Sequence, residues 1–394
     1  MTTNQFKEKI DEMFPCHWEG DFRKDLVSKF KVYMDYVSTL SDISEKDKDR
    51  VQQLCDDLLN VLHLYYDGRK GLAFANFRTI MNGGKDSENP GLFNSIESYK
   101  IPVGKFFYRT RIRVFGREFT RKEMFHIPLN KRGIVSTQRY SSPGYPCLYL
   151  GSTVYSCWEE MRRPSFDELM YSAYEVRYDF KVFDMRIPQK NDYQKDKLHQ
   201  TIYRIPLILA CSVVVKTPTD VFKPEYIIPQ LLVETIICNN KERIEQGQAT
   251  TFPDTVWGVL YTSTHINDDF PYGIDYLQNI VLPVVNSENE QHYCNYLATL
   301  FKISRPLCYA YESLKENPSQ ISWAEIDEHQ SREEQIRKQY QESKMGYLEN
   351  RLKSSTFDVL PSICTDCEVI HLTSEGTPVK VKVRSSDGFT IKTE

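Results

Sequence analysis

The chain has 394 residues, 40% of them hydrophobic, and a formal net charge of −4. That length predicts two or three domains with a sizeable core, and the slight acidity argues against nucleic acid as the main partner. No segment resembles a secretion signal or the roughly 20 apolar residues of a membrane-spanning helix, so we expect a cytoplasmic protein without membrane contact.

Residues 1–81 have the apolar spacing of amphipathic helices. One of these helices is predicted to start after Ser44, a good N-cap, and to stop at Gly68. The segment 82–91 is rich in Gly, Asn and Ser and reads as a linker. We therefore predict an N-terminal helical domain over 1–91, a separable regulatory or docking unit that contributes no catalytic residue.

Short aromatic and β-branched runs, among them "ACSVVVK" at 210–216, dominate from about residue 100, and they read as strands divided by turns. Helical patterns interrupt them at 155–170 and 224–239. Because strands and helices do not alternate regularly, and no G-x-G-x-x-G follows a strand, the fold class is predicted as α+β rather than doubly wound. The predicted central domain covers 92–310.

The remaining segment, 311–394, is predicted to hold one long charged helix over 322–353 and a small β tail from residue 364 that alternates like a hairpin. The tail includes a single C-x-x-C, Cys364 and Cys367, with no second pair or His cluster nearby. We interpret the chain's ten cysteines as reduced thiols and predict no metal site.

Charge is unevenly distributed along the central segment. Between Lys100 and Arg139 there are eleven Lys or Arg residues against two Glu, and the adjacent carboxylates Glu159 and Glu160 follow soon after. A positive stretch before a carboxylate pair suits a ligand with phosphates at one end and a developing cation at the other. A solvated basic face or a protein-docking patch is the alternative.

Four motifs in the central segment resemble, in their order and rough spacing, the RES domain family, which is named for an arginine, a glutamate and a serine. The resemblance covers about residues 100–285, and the four stretches are "FFYRTR", "RYSSPGYPCLYLGSTVYSCWEEM", "WGVLYTSTHIN" and "NIVLP". It implies an ADP-ribosyltransferase-like fold that cleaves NAD⁺ or transfers ADP-ribose from it. Compact family members are often toxins with an antitoxin partner, whereas this chain carries extra segments at both ends.

The resemblance also implies a set of site residues. Arg109 and Arg139 would hold phosphate or ribose, Glu160 would be the catalytic carboxylate, and Ser263 would contact the ribose. Tyr108 would line the nicotinamide pocket, and the strand aromatics Tyr149 and Tyr261 could line the cleft. Cleavage of the nicotinamide–ribose bond builds positive charge on the sugar, as in glycosidases, which explains why the site needs a fixed carboxylate.

Ordinary structural roles are the alternative for each of these residues. The arginines could form surface contacts or salt bridges, the tyrosines could fill the core, and Ser263 could end a strand. Glu159, one position from Glu160, is the competing carboxylate.

Three functions therefore stay open at this point. The first is an NAD⁺ glycohydrolase or phosphorylase that could serve as a toxin or defence effector, with an antitoxin or regulatory protein as its partner. The second is an ADP-ribosyltransferase acting on a protein or nucleic acid. The third is an inactive RES-like binding module.

Overall fold

The structure is a computed structural model, and it describes residues 1–84, 90–114, 117, 119–246, 252, 255–265, 277–285, 293–309, 332–360, 367–372 and 378–383. For 332, 333, 335, 336 and the last two of these ranges it describes the backbone alone.

Four helices occupy the N-terminal region: α1 (Thr3–Asp11), α2 (Phe22–Ser38), α3 (Glu45–Tyr66) and α4 (Lys70–Asn82). The predicted boundaries of α3 are confirmed. The Ser44 side chain accepts a hydrogen bond from the Asp47 amide, which satisfies one free N–H of the first turn. Gly68, just beyond the helix, has φ +77°, a conformation that favours glycine.

The central region follows in the order α5 (Leu92–Ser95), β1 (Tyr99–Ile101), β2 (Phe106–Ile112), α6 (Arg121–Met124), β3 (Cys147–Gly151), α7 (Val154–Glu160), β4 (Leu169–Val176), β5 (Phe180–Met185), α8 (Lys195–Cys211), α9 (Ile227–Glu245), β6 (Val256–Thr262), β7 (Gln278–Pro283), α10 (Asn295–Leu300), β8 (Phe301–Ser304) and β9 (Leu307–Cys308). The C-terminal elements are α11 (Arg332–Glu342), α12 (Lys344–Lys353), β10 (Phe357–Val359), β11 (Cys367–Leu372) and β12 (Pro378–Val383).

Ten strands form one mixed sheet in the order β1-β5-β6-β7-β3-β2-β4-β8-β10, with β9 beside β4. Among the strands that the structure describes, β5 and β6 form the one parallel pair of this sheet. At the centre, β2 and β3 are paired at one position, Tyr108 opposite Gly151, whereas β2 pairs with β4 over seven positions. The sheet therefore opens between β2 and β3. The predicted α+β class is confirmed at the level of a large mixed sheet with many helices.

The four N-terminal helices pack against α8 and α9 in a single apolar cluster. That cluster includes side chains from one face of the sheet, such as Phe183, Val259 and Val281. Their sequence neighbours Val182, Leu260 and Ile280 belong to a second cluster on the other face, as the alternation along a strand requires. The division into three domains remains a prediction.

Two predicted helices have different boundaries in the structure. The helix predicted over 155–170 is wrong beyond Glu160: Arg162 and Arg163 have φ of 62° and 54°, Pro164 follows, and β4 has begun by Leu169. The helix predicted over 322–353 is interrupted at Ser343, whose side chain caps α12 by accepting from the Gly346 amide. Residues 322–331 lie outside the described residues.

A predicted strand at 210–216 is also wrong, because residues up to Cys211 form the last turn of α8. The prediction of a helix over 224–239 is confirmed by α9. The hairpin predicted for the tail is confirmed by the antiparallel pair β11–β12, whereas Cys364 lies outside the described residues. None of the described helices is both long and apolar enough to traverse a lipid bilayer.

Candidate functional site

A cavity of about 820 Å³ lies where the sheet opens between β2 and β3. A volume of this size suits a small-molecule ligand. The described residues around it come from β2, β3, α7, the ends of β6 and β7, and the two segments around 134–141 and 214–226. Strands close to one another in space but distant in sequence therefore form this cavity.

Two glycines beside the cavity allow a tight turn before β3 and a close contact between β3 and α7. Gly144 has φ +78° and follows Pro143, the arrangement of a tight turn before β3. Gly151 ends β3, and a Cβ atom there would lie 2.7 Å from the Sγ of Cys157 on α7. The next element begins at once: Thr153 accepts from the Ser156 amide at 3.0 Å and caps α7.

Glu160 is the last residue of α7, and its carboxylate is held in place at the cavity wall. The Ser263 hydroxyl donates to Oε1 at 2.6 Å, and the Asn279 amide donates to the same oxygen at 2.7 Å. The second oxygen, Oε2, lies 3.7 Å from Nε2 of His265. One third of the Glu160 side chain is exposed, so a ligand can reach an oriented carboxylate.

The neighbouring carboxylate, Glu159, is buried and faces another environment. It accepts hydrogen bonds from Arg163, at 2.8 Å, and from Tyr155, and it does not line the cavity. Its charge is thus already paired within the protein. Of the two adjacent carboxylates, the structure brings Glu160 to the cavity.

Arg109 enters the cavity from β2, just past the point where β2 leaves β3. Its guanidinium donates to the Tyr149 carbonyl of β3 at 3.3 Å. Because β2 no longer pairs with β3 at this position, the arginine side chain supplies a hydrogen bond that β2 does not. The buried Nε of Arg109 has no hydrogen-bond partner among the described residues. Burial lowers the pKa of this guanidinium, and a bound anion would compensate that loss of solvation.

Arg139 also lines the cavity, but its donors are largely taken up by the protein. One terminal nitrogen donates to the carbonyls of Cys211 and Val213, both at 2.9 Å. The other donates to the Thr264 hydroxyl at 3.0 Å, and the guanidinium lies over the Tyr226 ring. Arg139 therefore ties the end of α8 to the residue that follows Ser263.

The electrostatic character of the cavity is positive. Two further cations, Arg162 and Lys223, join Arg109 and Arg139 among its described lining residues, and Glu160 is the single carboxylate there. Arg162 is exposed and held in the left-handed region directly after α7. A wall with four cations and one oriented carboxylate is suited to an anionic ligand with one electron-poor centre.

Aromatic side chains form another wall of the cavity. Tyr149, Tyr226 and Tyr261 line it, and the Tyr149 hydroxyl donates to Ser141 at 3.0 Å. Tyr108 does not line it. Alternation along β2 turns Tyr108 away from Arg109 and into an apolar cluster with α7 and α12.

Sequence reasoning missed two residues beside Glu160, namely Asn279 and His265. Both lie within two of the RES-like motifs, "NIVLP" and "TSTHIN". A single Asn on a strand or a single His in a loop does not by itself predict a site residue. Two buried thiols, Cys147 and Cys157, also line the cavity, and burial raises the pKa of Cys157 to about 12, so it stays protonated at neutral pH. The described residues contain no cluster of three or more potential metal ligands.

No family model matches this chain, and no solved structure matches it. One similar protein, from Bacillus subtilis (strain 168), is named "Putative toxin YopC". The two are 31% identical over 314 residues, an alignment that covers 74% of this chain and 67% of the relative. The alignment extends over most of both proteins, so the chain belongs to the same family as this Bacillus subtilis protein.

Proposed function

We propose that this protein is an NAD⁺-degrading enzyme of the RES type, with an ADP-ribosyltransferase-like core, that cleaves the bond between nicotinamide and ribose. The observation that carries the proposal is the Glu160 carboxylate, which Ser263 and Asn279 hold at the wall of a cavity with four cationic side chains. The order of the RES motifs along the chain supports the same assignment.

Each group has a role in the proposed reaction. As the nicotinamide–ribose bond breaks, nicotinamide leaves with the bonding electrons and positive charge develops on the ribose. Glu160 stabilises that charge, and its two hydrogen bonds keep the carboxylate from turning away. Arg109 offers a partly unpaired guanidinium to the diphosphate, and the tyrosine wall offers a stacking surface for nicotinamide. Water or phosphate then adds to the ribose carbon.

A toxin role for this cytoplasmic enzyme is proposed from the relative's name. Loss of NAD⁺ would stop growth, so the cell that makes such an enzyme needs a means to restrain it. An antitoxin or another regulatory protein is the proposed partner.

The test measures nicotinamide released from NAD⁺ by the purified full-length protein. We expect Glu160→Gln to lower kcat about 10²–10³-fold with little change in KM, because the charge matters where the cation develops. Glu159→Gln is the matched control, one residue away and bound to Arg163 instead, and we expect it to keep kcat within about tenfold.

Three results would change this assignment. Loss of turnover in Glu159→Gln but not in Glu160→Gln would mean that the neighbouring carboxylate is the catalytic one. Labelling of a macromolecule by NAD⁺ carrying a labelled adenylate would point to transfer rather than hydrolysis or phosphorolysis. If the wild-type protein released no nicotinamide, the remaining function would be that of an inactive binding module.

A further inference from the structure

A buried carboxylate from the C-terminal helices contacts the start of the helix that carries Glu160. Oε1 of Glu349, on α12, accepts a hydrogen bond from the Val154 amide at 2.8 Å and from the Tyr340 hydroxyl at 2.6 Å. The Tyr108 side chain of β2 also interacts with this carboxyl group. Glu349 is 8% exposed, so these contacts are made away from water.

The contacts complete the N-terminus of α7. The first amides of a helix have no partner within it and must be satisfied from outside. Here the Val154 amide donates to Glu349, the Tyr155 amide to the Tyr340 hydroxyl at 3.4 Å, and the Ser156 amide to Thr153. Two of these three acceptors come from α11 and α12, which lie nearly 200 residues further along the chain.

Apolar side chains of α12 also pack beside this junction. Leu348 and Leu352 of α12 are fully buried in one cluster with Tyr108, Val154 and Cys157. The helix pair therefore lies against both α7 and β2, the two elements that bring Glu160 and Arg109 to the cavity.

We propose that Glu349 is a positioning residue: together with Tyr340 it fixes the start of α7 and so sets where Glu160 stands in the cavity. This inference rests on the proposed role of Glu160. It gives the C-terminal extension, which lies outside the segment that resembles the RES family, a direct part in the activity of this chain.

The geometry of α7 explains why its start matters. Val154 and Glu160 are separated by about 9 Å along the helix, so a swing of about 10° at the start would move Glu160 by about 1.5 Å. Such a shift would break the hydrogen bonds from Ser263 and Asn279. Displacements of about 1 Å in a catalytic group lower rates by up to about 10²-fold.

The test compares full-length variants of the C-terminal helices. We expect Glu349→Ala to lower kcat for nicotinamide release about tenfold to a hundredfold, with KM within about threefold, because Glu160 is displaced while the cations stay in place. Glu349→Gln keeps an oxygen acceptor at the same position and should recover most of that loss. Tyr340→Phe is a milder change, and its kcat should lie between those of Glu349→Ala and Glu349→Gln. It replaces Glu349→Ala as the test variant if that protein does not fold.

Leu352→Ala is the matched control, because it removes buried packing one turn away in α12 without touching the hydrogen bonds. It should lower the melting temperature at least as much as Glu349→Ala but keep kcat within about threefold. Equal loss of kcat in Leu352→Ala and Glu349→Ala would show that the helix pair only adds stability, and would overturn the inference.

Amide hydrogen exchange separates this inference from the proposed function. In Glu349→Ala, and not in Leu352→Ala, exchange should rise in the peptide that contains 154–160 while β6 and β7 stay protected. If the wild-type protein releases no nicotinamide but the exchange differs in this way, the proposed function fails and the positioning of α7 stands. Unchanged exchange at α7 in both Glu349→Ala and Tyr340→Phe would refute the positioning role.

Discussion

Glu160 depends on single hydrogen bonds from residues more than a hundred positions away. Ser263 follows β6 and Asn279 lies in β7, and both donate to the same carboxylate oxygen. Because hydrogen bonds to a charged group are worth about 1.5–3 kcal/mol each, either donor has a measurable share in holding the carboxylate. Of the two, only Ser263 was predicted from the sequence.

Asn279→Ala should therefore lower kcat for NAD⁺ cleavage about tenfold or more, with a smaller effect on KM. The control is Asn239→Ala, which removes a similar side-chain pair, between Asn239 and Asn82, neither of which lines the cavity. Steady-state kinetics of both variants provide the measurement. An Asn279→Ala protein with the kcat of the wild type would show that Ser263 alone orients Glu160.

A second residue-scale feature is His126, which is buried and must stay neutral. Its Nε2 accepts from the Cys294 amide at 2.9 Å, so the proton resides on Nδ1, which donates to the Ile127 carbonyl at 2.9 Å. Burial lowers the pKa of His126 to about 4, and the nearby charge of Arg109 acts in the same direction. Protonation of Nε2 would break the hydrogen bond from the Cys294 amide, which fixes the start of α10.

This arrangement predicts a loss of stability in acid. Between about pH 6.5 and about pH 4 the unfolded chain binds a proton at His126 that the folded protein does not, so the free energy of unfolding falls as the pH falls through this range, by up to about 3 kcal/mol. Urea unfolding of wild type and His126→Gln at several pH values measures it. His126→Gln should lose this part of the pH dependence of the free energy of unfolding. The control His17→Gln, at an exposed position, should keep it. An equal dependence on pH in the wild type and both variants would contradict the prediction.

At the scale of elements, the connection between α1 and α2 contacts the segment that lines the cavity. The Trp18 indole donates to Glu225 at 2.7 Å, and Cys16 pairs with Val213 as an isolated β-bridge. Glu225 also accepts from the Lys216 amide at 3.0 Å. The 214–226 stretch of the cavity wall is therefore attached to the N-terminal region, although no residue of that region lines the cavity among those described.

A chain that starts at residue 92 tests how separable the N-terminal helices are. Their removal would uncover apolar side chains on α8 and α9, so we expect a protein that aggregates or binds hydrophobic dyes. Solubility, dye binding and nicotinamide release are the measurements. A soluble truncated protein with normal turnover would support the separable unit that the sequence predicts.

Trp18→Phe is a milder version of the same experiment, since it keeps the ring and removes only the donor to Glu225. We expect a lower melting temperature, with the loss of about 1–3 kcal/mol typical of a buried acceptor that loses a partner.

At the scale of the whole molecule, local and net charge have opposite signs. The chain carries −4 overall, yet the described cavity wall has four cations and one carboxylate. Many of the basic residues between Lys100 and Arg139 are used elsewhere: Lys100 pairs with Asp179, Arg117 with Glu123, and Arg121 donates to the carbonyls of Ile303 and Thr356. Of the basic residues in this stretch, Arg109 and Arg139 line the cavity, and their binding of a ligand stays a prediction.

The charge of the cavity predicts a salt effect on binding. Raising ionic strength from about 0.05 M to about 0.5 M should increase KM for NAD⁺ several-fold and leave kcat nearly unchanged, because screening weakens the attraction between the cations and the diphosphate. Nicotinamide riboside, which lacks the phosphates, is the control substrate, and its KM should not respond. A similar response for both substrates would mean that the cations do not contact the diphosphate.

Several elements were predictable because their causes are local. The Ser44 cap and Gly68 bound α3 through contacts within a few residues, and the alternation of β11 and β12 sets their pairing as a hairpin. The end of α7 was not predicted. Its helical pattern continues past Glu160, and the left-handed residues Arg162 and Arg163 that stop it have side chains that are common inside helices.

The sequence by itself determined the mixed α+β class, the most regular helices and strands, and a short set of candidate residues in a given order. Tertiary structure decided which of two adjacent glutamates reaches the cavity, since that depends on Ser263 and Asn279. It also turned Tyr108 away from the cavity toward Glu349. The physical reason is the same in each case: a side chain's environment is created by residues 100 to 240 positions away, and no local pattern records which of them will meet.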